Sequence, residues 1–282
     1  MLPLKDTVLL NNLFQPVQQS RLNIYERKIN MLRILLSGCN GAMGKVITAC
    51  TEQREDCEIV AGLDVNTTPN GKYPIFGSAD DIDIKADVII DFSHPSALSG
   101  VLKYALSSKT PAVISTTGLS EEQINSLHLA SSQIPIFFSA NMSLGVSLVS
   151  ELVKKAASVL GNNFDIEIVE AHHNKKIDAP SGTALMLADS VSQGLEYQPV
   201  YEYNRHSKRE KRTKNEIGRH AIRGGTIVGE HEVIFAGNDE IITVSHSARS
   251  KSVFATGSIN AALFLAHKNA GMYSMKELVA EW

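Results

Sequence analysis

The chain has 282 residues, 43% hydrophobic and 20% charged, an ordinary globular composition with length enough for a large core and two domains. A formal net charge of −3 supplies no field that would hold a polyanion, which excludes a nucleic-acid partner on charge balance and makes any anion site local. No apolar run approaches the roughly 20 residues needed to cross a bilayer, and the start lacks the pattern of a secretory leader, so no membrane association is expected.

Residues 1–30 are polar, with Asn11, Asn12, Gln15, Gln18 and Gln19 preceding any strand signal, and are expected to be a dispensable N-terminal extension. From Met31 onward, short apolar runs alternate with helical periodicity. Strands are predicted at 32–37, 57–63, 87–92, 111–115 and 134–138, with helices at 42–53, 95–108 and 120–132 between them. This βα alternation predicts a Rossmann-like α/β domain with a mostly parallel sheet. A helix at 145–160, a strand at 164–170 and a helix beginning near Ser181 then open a second unit. Its β-like runs within 217–247 lack matching helices and predict a mixed or antiparallel sheet, hence an α+β domain. The last helices, 252–267 and 274–281, have no sheet of their own and are expected to return to the first domain. The predicted division is therefore 31–143 with 252–282, and 144–251. Cations crowd 201–223, from Arg205 to Arg223, interrupted by Glu202, Glu210 and Glu216, and read as a solvated loop. Cys39, Cys50 and Cys57 are an odd number with no framework spacing, which fits a reducing cytoplasm.

Gly38-Cys-Asn-Gly41-Ala42-Met43-Gly44 follows the first strand and opens the first helix, where a dinucleotide fold needs a tight turn and close approach to a pyrophosphate. The spacing departs from G-x-G-x-x-G by one residue. Asp64, twenty residues after Gly44 and at the end of the second strand, is placed to accept ribose hydroxyls and to repel a 2′-phosphate. NADH is therefore favoured, while Lys45 leaves NADPH open.

Glu170-Ala-His172-His173-Asn-Lys175-Lys176-Ile-Asp178-Ala-Pro180-Ser181-Gly182-Thr183-Ala184 places two histidines and two lysines before a helix start, with Pro180 expected near its first turn. Free backbone N–H groups at Ser181, Gly182 and Thr183 suit a carboxylate. Histidine, or a lysine whose pKa is lowered by neighbouring cations, can give up a proton near neutrality. Adjacent His172 and His173 diverge in an extended segment and no cysteine completes a ligand set, so no metal site is expected.

The run from Glu170 to Ala184 resembles the E-x-H-H-x-x-K-x-D-A-P-S-G-T-A signature of the dihydrodipicolinate reductase family. Similar features lie at the glycine turn, Asp91-Phe92-Ser93, Thr116-Thr117-Gly118, Ala140-Asn141-Met142-Ser143 and Gly229-Glu230-His231, so that the resemblance covers 31–282. It implies reduction of a cyclic unsaturated dicarboxylate by NADH or NADPH in diaminopimelate and lysine biosynthesis, within a homotetramer. It further implies His172 and Lys176 as acid groups, and His173, Lys176, Ser181, Gly182 and Thr183 as carboxylate contacts, with Lys251 a further one. For the cofactor it implies Gly38, Gly41, Ala42, Met43 and Gly44 about the pyrophosphate and Asp64 on the ribose. Phe92, Thr116, Thr117, Gly118, Ala140, Asn141 and Met142 would serve the rest of the cofactor, toward the nicotinamide end. Ala42 and Val65 stand where family members often carry basic residues, which again favours NADH. A different two-domain Rossmann reductase would share the glycine turn without the His172 to Thr183 run, and a nucleotide-sensing regulator would have lost the titratable loop.

Overall fold

The computed structural model describes residues 31–281 and contains two sheets; the extension expected at residues 1–30 lies outside the described residues. The first sheet is built from β1 (Leu32–Ser37), β2 (Cys57–Leu63), β3 (Ile75–Phe76), β4 (Val88–Asp91), β5 (Ala112–Ile114), β6 (Pro135–Phe138) and β12 (Gly271–Tyr273). All its pairs are parallel, in the order β12-β6-β5-β4-β1-β2-β3. Its central strands are buried on both faces, as their near-continuous Leu, Ile and Val require.

On one face pack α1 (Ala42–Thr51) and α6 (Ser252–Leu265); on the other, α2 (Leu98–Ser108) and α3 (Glu121–Ser131). The last helix, α7 (Met275–Ala280), adds Met275 and Leu278 to the core shared with α6. Residues 252–280 thus return to the first sheet, but not as helices alone, because β12 joins its edge beside β6. Strands β3 and β12, of two and three residues, are too short to show a periodicity. The predicted helix at 95–108 divides into a 3-10 turn at Pro95–Ala97 and α2.

The second sheet comprises β7 (Asp165–His172), β8 (Val200–Glu202), β9 (Glu216–Arg223), β10 (Gly229–Ala236) and β11 (Ile241–Ala248), in the order β11-β10-β7-β9-β8. It is mixed: β7, β8 and β9 run parallel, whereas β10 is antiparallel to both β7 and β11. Helices α4 (Leu144–Leu160) and α5 (Gly182–Gly194) cover one face, where Val149, Val153, Leu187 and Val191 meet Ile166, Ile168, Val233 and Phe235. The other face carries Glu167, Val169, His220, Ile222, Glu232 and Ile234, and Ile222 is 51% exposed there.

The segment 201–223 is not one solvated loop, since its two ends are strands and five of its eight Lys and Arg residues have partners, while Arg209, Lys211 and Lys214 are exposed. Arg205 pairs with Glu216, Lys208 with Glu202, and Arg212 with Asp165 and Glu167. Arg219 is stacked on the Tyr201 ring, 3.6 Å from its centroid, and Arg223 reaches Glu170. Cys39, Cys50 and Cys57 are all free thiols.

Candidate active site

The glycine turn fits a dinucleotide for steric reasons. Gly38 has φ +78°, and a Cβ there would meet the Phe92 carbonyl oxygen at 2.7 Å. A Cβ on Gly44 would stand 2.2 Å from the Gly38 carbonyl oxygen, so α1 can lie against the turn only because position 44 has no side chain. Gly41 caps α1 with no side-chain hydrogen bond, leaving the first-turn N–H groups of Ala42 and Met43 without partners among the described residues. That is a cradle for a pyrophosphate.

A cavity of about 720 Å³ runs from this turn along Gly38, Gly41, Asp64, Val65, His94 and Thr117. Among the described residues no Lys or Arg lines it. Asp64 accepts backbone N–H groups from Asn40 and Asn66, each at 2.9 Å, and so also fixes the loop that forms this end. Phe92, Ser93 and Thr117 line both this cavity and a second one of about 940 Å³. The second brings Met43, Phe92, Thr116, Thr117, Ala140, Asn141 and Met142 together with His172, His173, Lys176, Ser181, Gly182 and Thr183. Ala42, Gly44, Gly118 and Lys251 line neither; Gly44 acts instead by close packing, and Lys251 is the exposed residue preceding α6.

The start of α5 stands at the other end of this cavity. Ser181 is its N-cap, its Oγ accepting the Ala184 N–H, so Pro180 precedes the helix instead of standing in its first turn. The Gly182 and Thr183 N–H groups have no partner among the described residues and open on the cavity. Lys176 lies 2.8 Å from Asp178, so its nearest charged partner is an anion, contrary to the cationic surroundings expected from the sequence. His172 and His173 both line the cavity but keep separate surroundings: His172 Nδ1 is held by Glu170, while His173 Nδ1 is buried and unpaired. Among the described residues no group of three or more His, Cys, Asp or Glu is placed to hold a metal ion.

Behind these residues lies a network that sequence reasoning left without a role. Glu170, 1% exposed, accepts from Arg223 through both carboxylate oxygens at 2.8 Å, from His172 Nδ1 at 2.6 Å and from the Ser181 N–H at 3.0 Å. Burial acts to raise the carboxyl pKa, but the hydrogen bonds from Arg223, His172 and Ser181 outweigh it and hold Glu170 below the usual carboxylate range. His231 shares a 2.9 Å hydrogen bond with Ser181 Oγ and meets His172 edge to face, ring centroids 5.1 Å apart. Burial, reinforced by the charge of His172, pushes the His231 imidazole down to about 4, so that it is neutral. Gly229 belongs to the same strand, and a Cβ there would lie 3.1 Å from His172 Nε2. Glu170 and His231 stand in runs already quoted for the resemblance, whereas Arg223 carries no local signal.

Family comparison places this geometry. Models of the dihydrodipicolinate reductase N-terminus and C-terminus match residues 32–142 and 145–279. The chain belongs to the dihydrodipicolinate reductase family. It is 52% identical over 249 residues to the 4-hydroxy-tetrahydrodipicolinate reductase of Caldanaerobacter subterraneus subsp. tengcongensis, covering 88% of this chain and 98% of the relative. It is 49% identical over 245 residues to the enzyme of that name from Clostridium tetani, covering 87% and 96%. A solved dihydrodipicolinate reductase from Paenisporosarcina sp. TG-14, described as dipicolinate-bound, shares the fold with TM-score 0.73 at 23% identity, over 86% of this chain and 97% of that one. Within this family the match extends across both sheets, and the α/β architecture, a parallel Rossmann-like sheet with a separate mixed sheet, is common to it.

Proposed function

We infer that this protein reduces 4-hydroxy-tetrahydrodipicolinate with NAD(P)H, in diaminopimelate and lysine biosynthesis. The observation that carries the reading is the single cavity of about 940 Å³ in which the cofactor side, Phe92 to Met142, faces His172, Lys176 and the start of α5. Residues 31–143 with 252–282 form the cofactor unit, and 144–251 the substrate unit.

The glycine turn and the α1 N–H groups would hold the pyrophosphate, and Asp64 the ribose, with Thr117 and Met142 at the nicotinamide end. When bound, the nicotinamide nucleotide supplies the hydride for the reduction. The chain's own groups do the rest. Gly182 and Thr183 N–H groups with Lys176 and His173 hold the carboxylates of a cyclic dicarboxylate, and Phe254 and Met186 limit water at the cavity wall. His172 gives the proton: its Nδ1 is bound to the Glu170 carboxylate, which fixes the ring and leaves Nε2 beside Gly229, where no side chain intervenes. Lys176, paired with Asp178, holds substrate in preference to donating.

NADH is the favoured cofactor, because Asp64 stands in a cavity end without Lys or Arg among its described lining residues. The open face of the second sheet is the assembly surface of a homotetramer. The enzyme acts in the cytoplasm, where its three free thiols persist. Coupling the protein to an upstream synthase and following oxidation of reduced cofactor by absorbance tests the reading. Substrate-dependent oxidation is expected, faster per mole of cofactor with NADH. No oxidation with either cofactor ends the functional reading, and a preference for NADPH ends the use made of Asp64.

A further inference from the structure

Asn141 stands in the loop after β6, on the cofactor side, yet its amide is bound on both sides by protein. Its Oδ1 accepts the Ser143 N–H at 2.9 Å. A backbone N–H can only donate, so the atom facing it has to be the amide oxygen, and the NH2 group points the other way. There it donates to Thr183 Oγ1 at 2.9 Å, across the seam between the first sheet and α5.

Thr183 is the second residue of α5, where no carbonyl of its own helix lies one turn back to take a hydroxyl proton. With its oxygen occupied by Asn141, that proton is turned away from the amide, and Thr183 lines the cavity beside the free Gly182 and Thr183 N–H groups. We propose that Asn141 is a positioning residue: it acts through Thr183, fixing that hydroxyl as a donor to a substrate carboxylate, and is not primarily a cofactor contact. This rests on the reductase reading above. It also makes the carboxylate site depend on both units, since the loop after β6 sets a donor on the substrate helix.

The test is calorimetric titration of the NADH-loaded enzyme with pyridine-2,6-dicarboxylate, a stable planar dicarboxylate, alongside substrate KM and NADH binding by fluorescence. Thr183→Val should weaken the dicarboxylate about 10- to 100-fold, the range for losing a hydrogen bond to a charged group. Asn141→Ala should weaken it by less, and Asn141→Asp by more than Thr183→Val, because an aspartate takes the Thr183 proton and adds charge beside an anion. Thr183→Ser should keep the affinity. In the Thr183→Val background, Asn141→Ala should cost nothing further, and NADH affinity should stay at the wild-type level throughout. Wild-type dicarboxylate affinity in Asn141→Asp, losses that multiply in the double variant, or a loss confined to NADH each overturns the proposal. Wild-type enzyme that neither binds the dicarboxylate nor turns over substrate defeats the reductase reading itself, and this inference with it.

Discussion

Replacing Glu170 with Gln keeps the shape of the side chain and removes its charge. The four donors now converging on the carboxylate, two from Arg223, one from His172 and one from Ser181, would meet an amide that can accept at only one of its two ends. Two of the four donors would face the new NH2 group, since each oxygen now takes two, and the Arg223 guanidinium would lose its anion. Breaking a buried pair costs about 3–5 kcal/mol, and because the Arg223 side chain is 20% exposed the lower figure applies, ~3 kcal/mol. In a chain of this size that corresponds to a melting point lower by about 6–12 °C. The effect depends on pH with a definite sign. The folded-state pKa of Glu170 is depressed, so its contribution is fully present above the ordinary carboxylate range and is lost as pH falls through the folded value. The melting-point gap between wild type and Glu170→Gln should therefore be largest at neutral pH and close in acid. Turnover should fall about 100-fold, as His172, the proposed proton donor, loses its orienting carboxylate. Thermal melts across pH at matched protein concentration, with kcat beside them, check both claims. A variant with wild-type kcat, or a gap that widens in acid, refutes the reasoning.

His172→Gln should lower kcat by about two to four orders of magnitude with little change in substrate KM, while Lys176→Ala should act mainly on KM; the reverse pattern in steady-state kinetics exchanges their roles. Gly44→Ala puts a Cβ 2.2 Å from the Gly38 carbonyl oxygen and 2.5 Å from that of Cys39, both backbone, so nucleotide binding measured by fluorescence should be lost and unchanged affinity would remove the turn from the cofactor site. Ile222→Asp changes a residue that is 51% exposed in the single chain and should release monomers or dimers, read by light scattering; an unchanged mass excludes the open face as the assembly surface.

The parts of the fold legible in the sequence are those in which burial alone dictates the residue type. Strand β1 coincides with its predicted limits because both faces of a parallel strand are covered and the apolar run stops where the cover does, and β2 keeps its predicted limits although Glu58 is exposed. The short strands β3, β8 and β12 were not legible, since two or three residues at a sheet edge are set by what lies beside them. The site divides in the same way. The helix start near Ser181 could be read because its signals are local, although the Ser181 N–H, expected to be free, is taken by Glu170; Asp64, directly after β2, could be read by its spacing from the turn. Arg223 could not: it reaches Glu170 only because β9 runs parallel to β7 with His172 opposite Arg223, a register written nowhere in the local sequence. Arg212 and Arg223 looked solvated for the same reason, as their partners Asp165, Glu167 and Glu170 lie on β7.

The same register ties His172 to the start of α5. Glu170 and His172 are two apart on β7 and so share a side of the strand, while β10 brings His231 opposite Glu170. One oxygen of Glu170 takes the Ser181 N–H at the start of α5, and the other takes His172 Nδ1. The Gly182 and Thr183 N–H groups therefore belong to a helix end whose cap is tied, through one buried side chain, to His172. The neutral His231 closes the remaining side, touching Ser181 by hydrogen bond and His172 by its ring, and being uncharged it adds no competing proton source to the site. In the proposed mechanism, substrate recognition and protonation thus depend on the same few buried contacts. Variants of Glu170 should accordingly disturb KM and kcat together, whereas loss of Thr183 or Lys176 disturbs mainly the first.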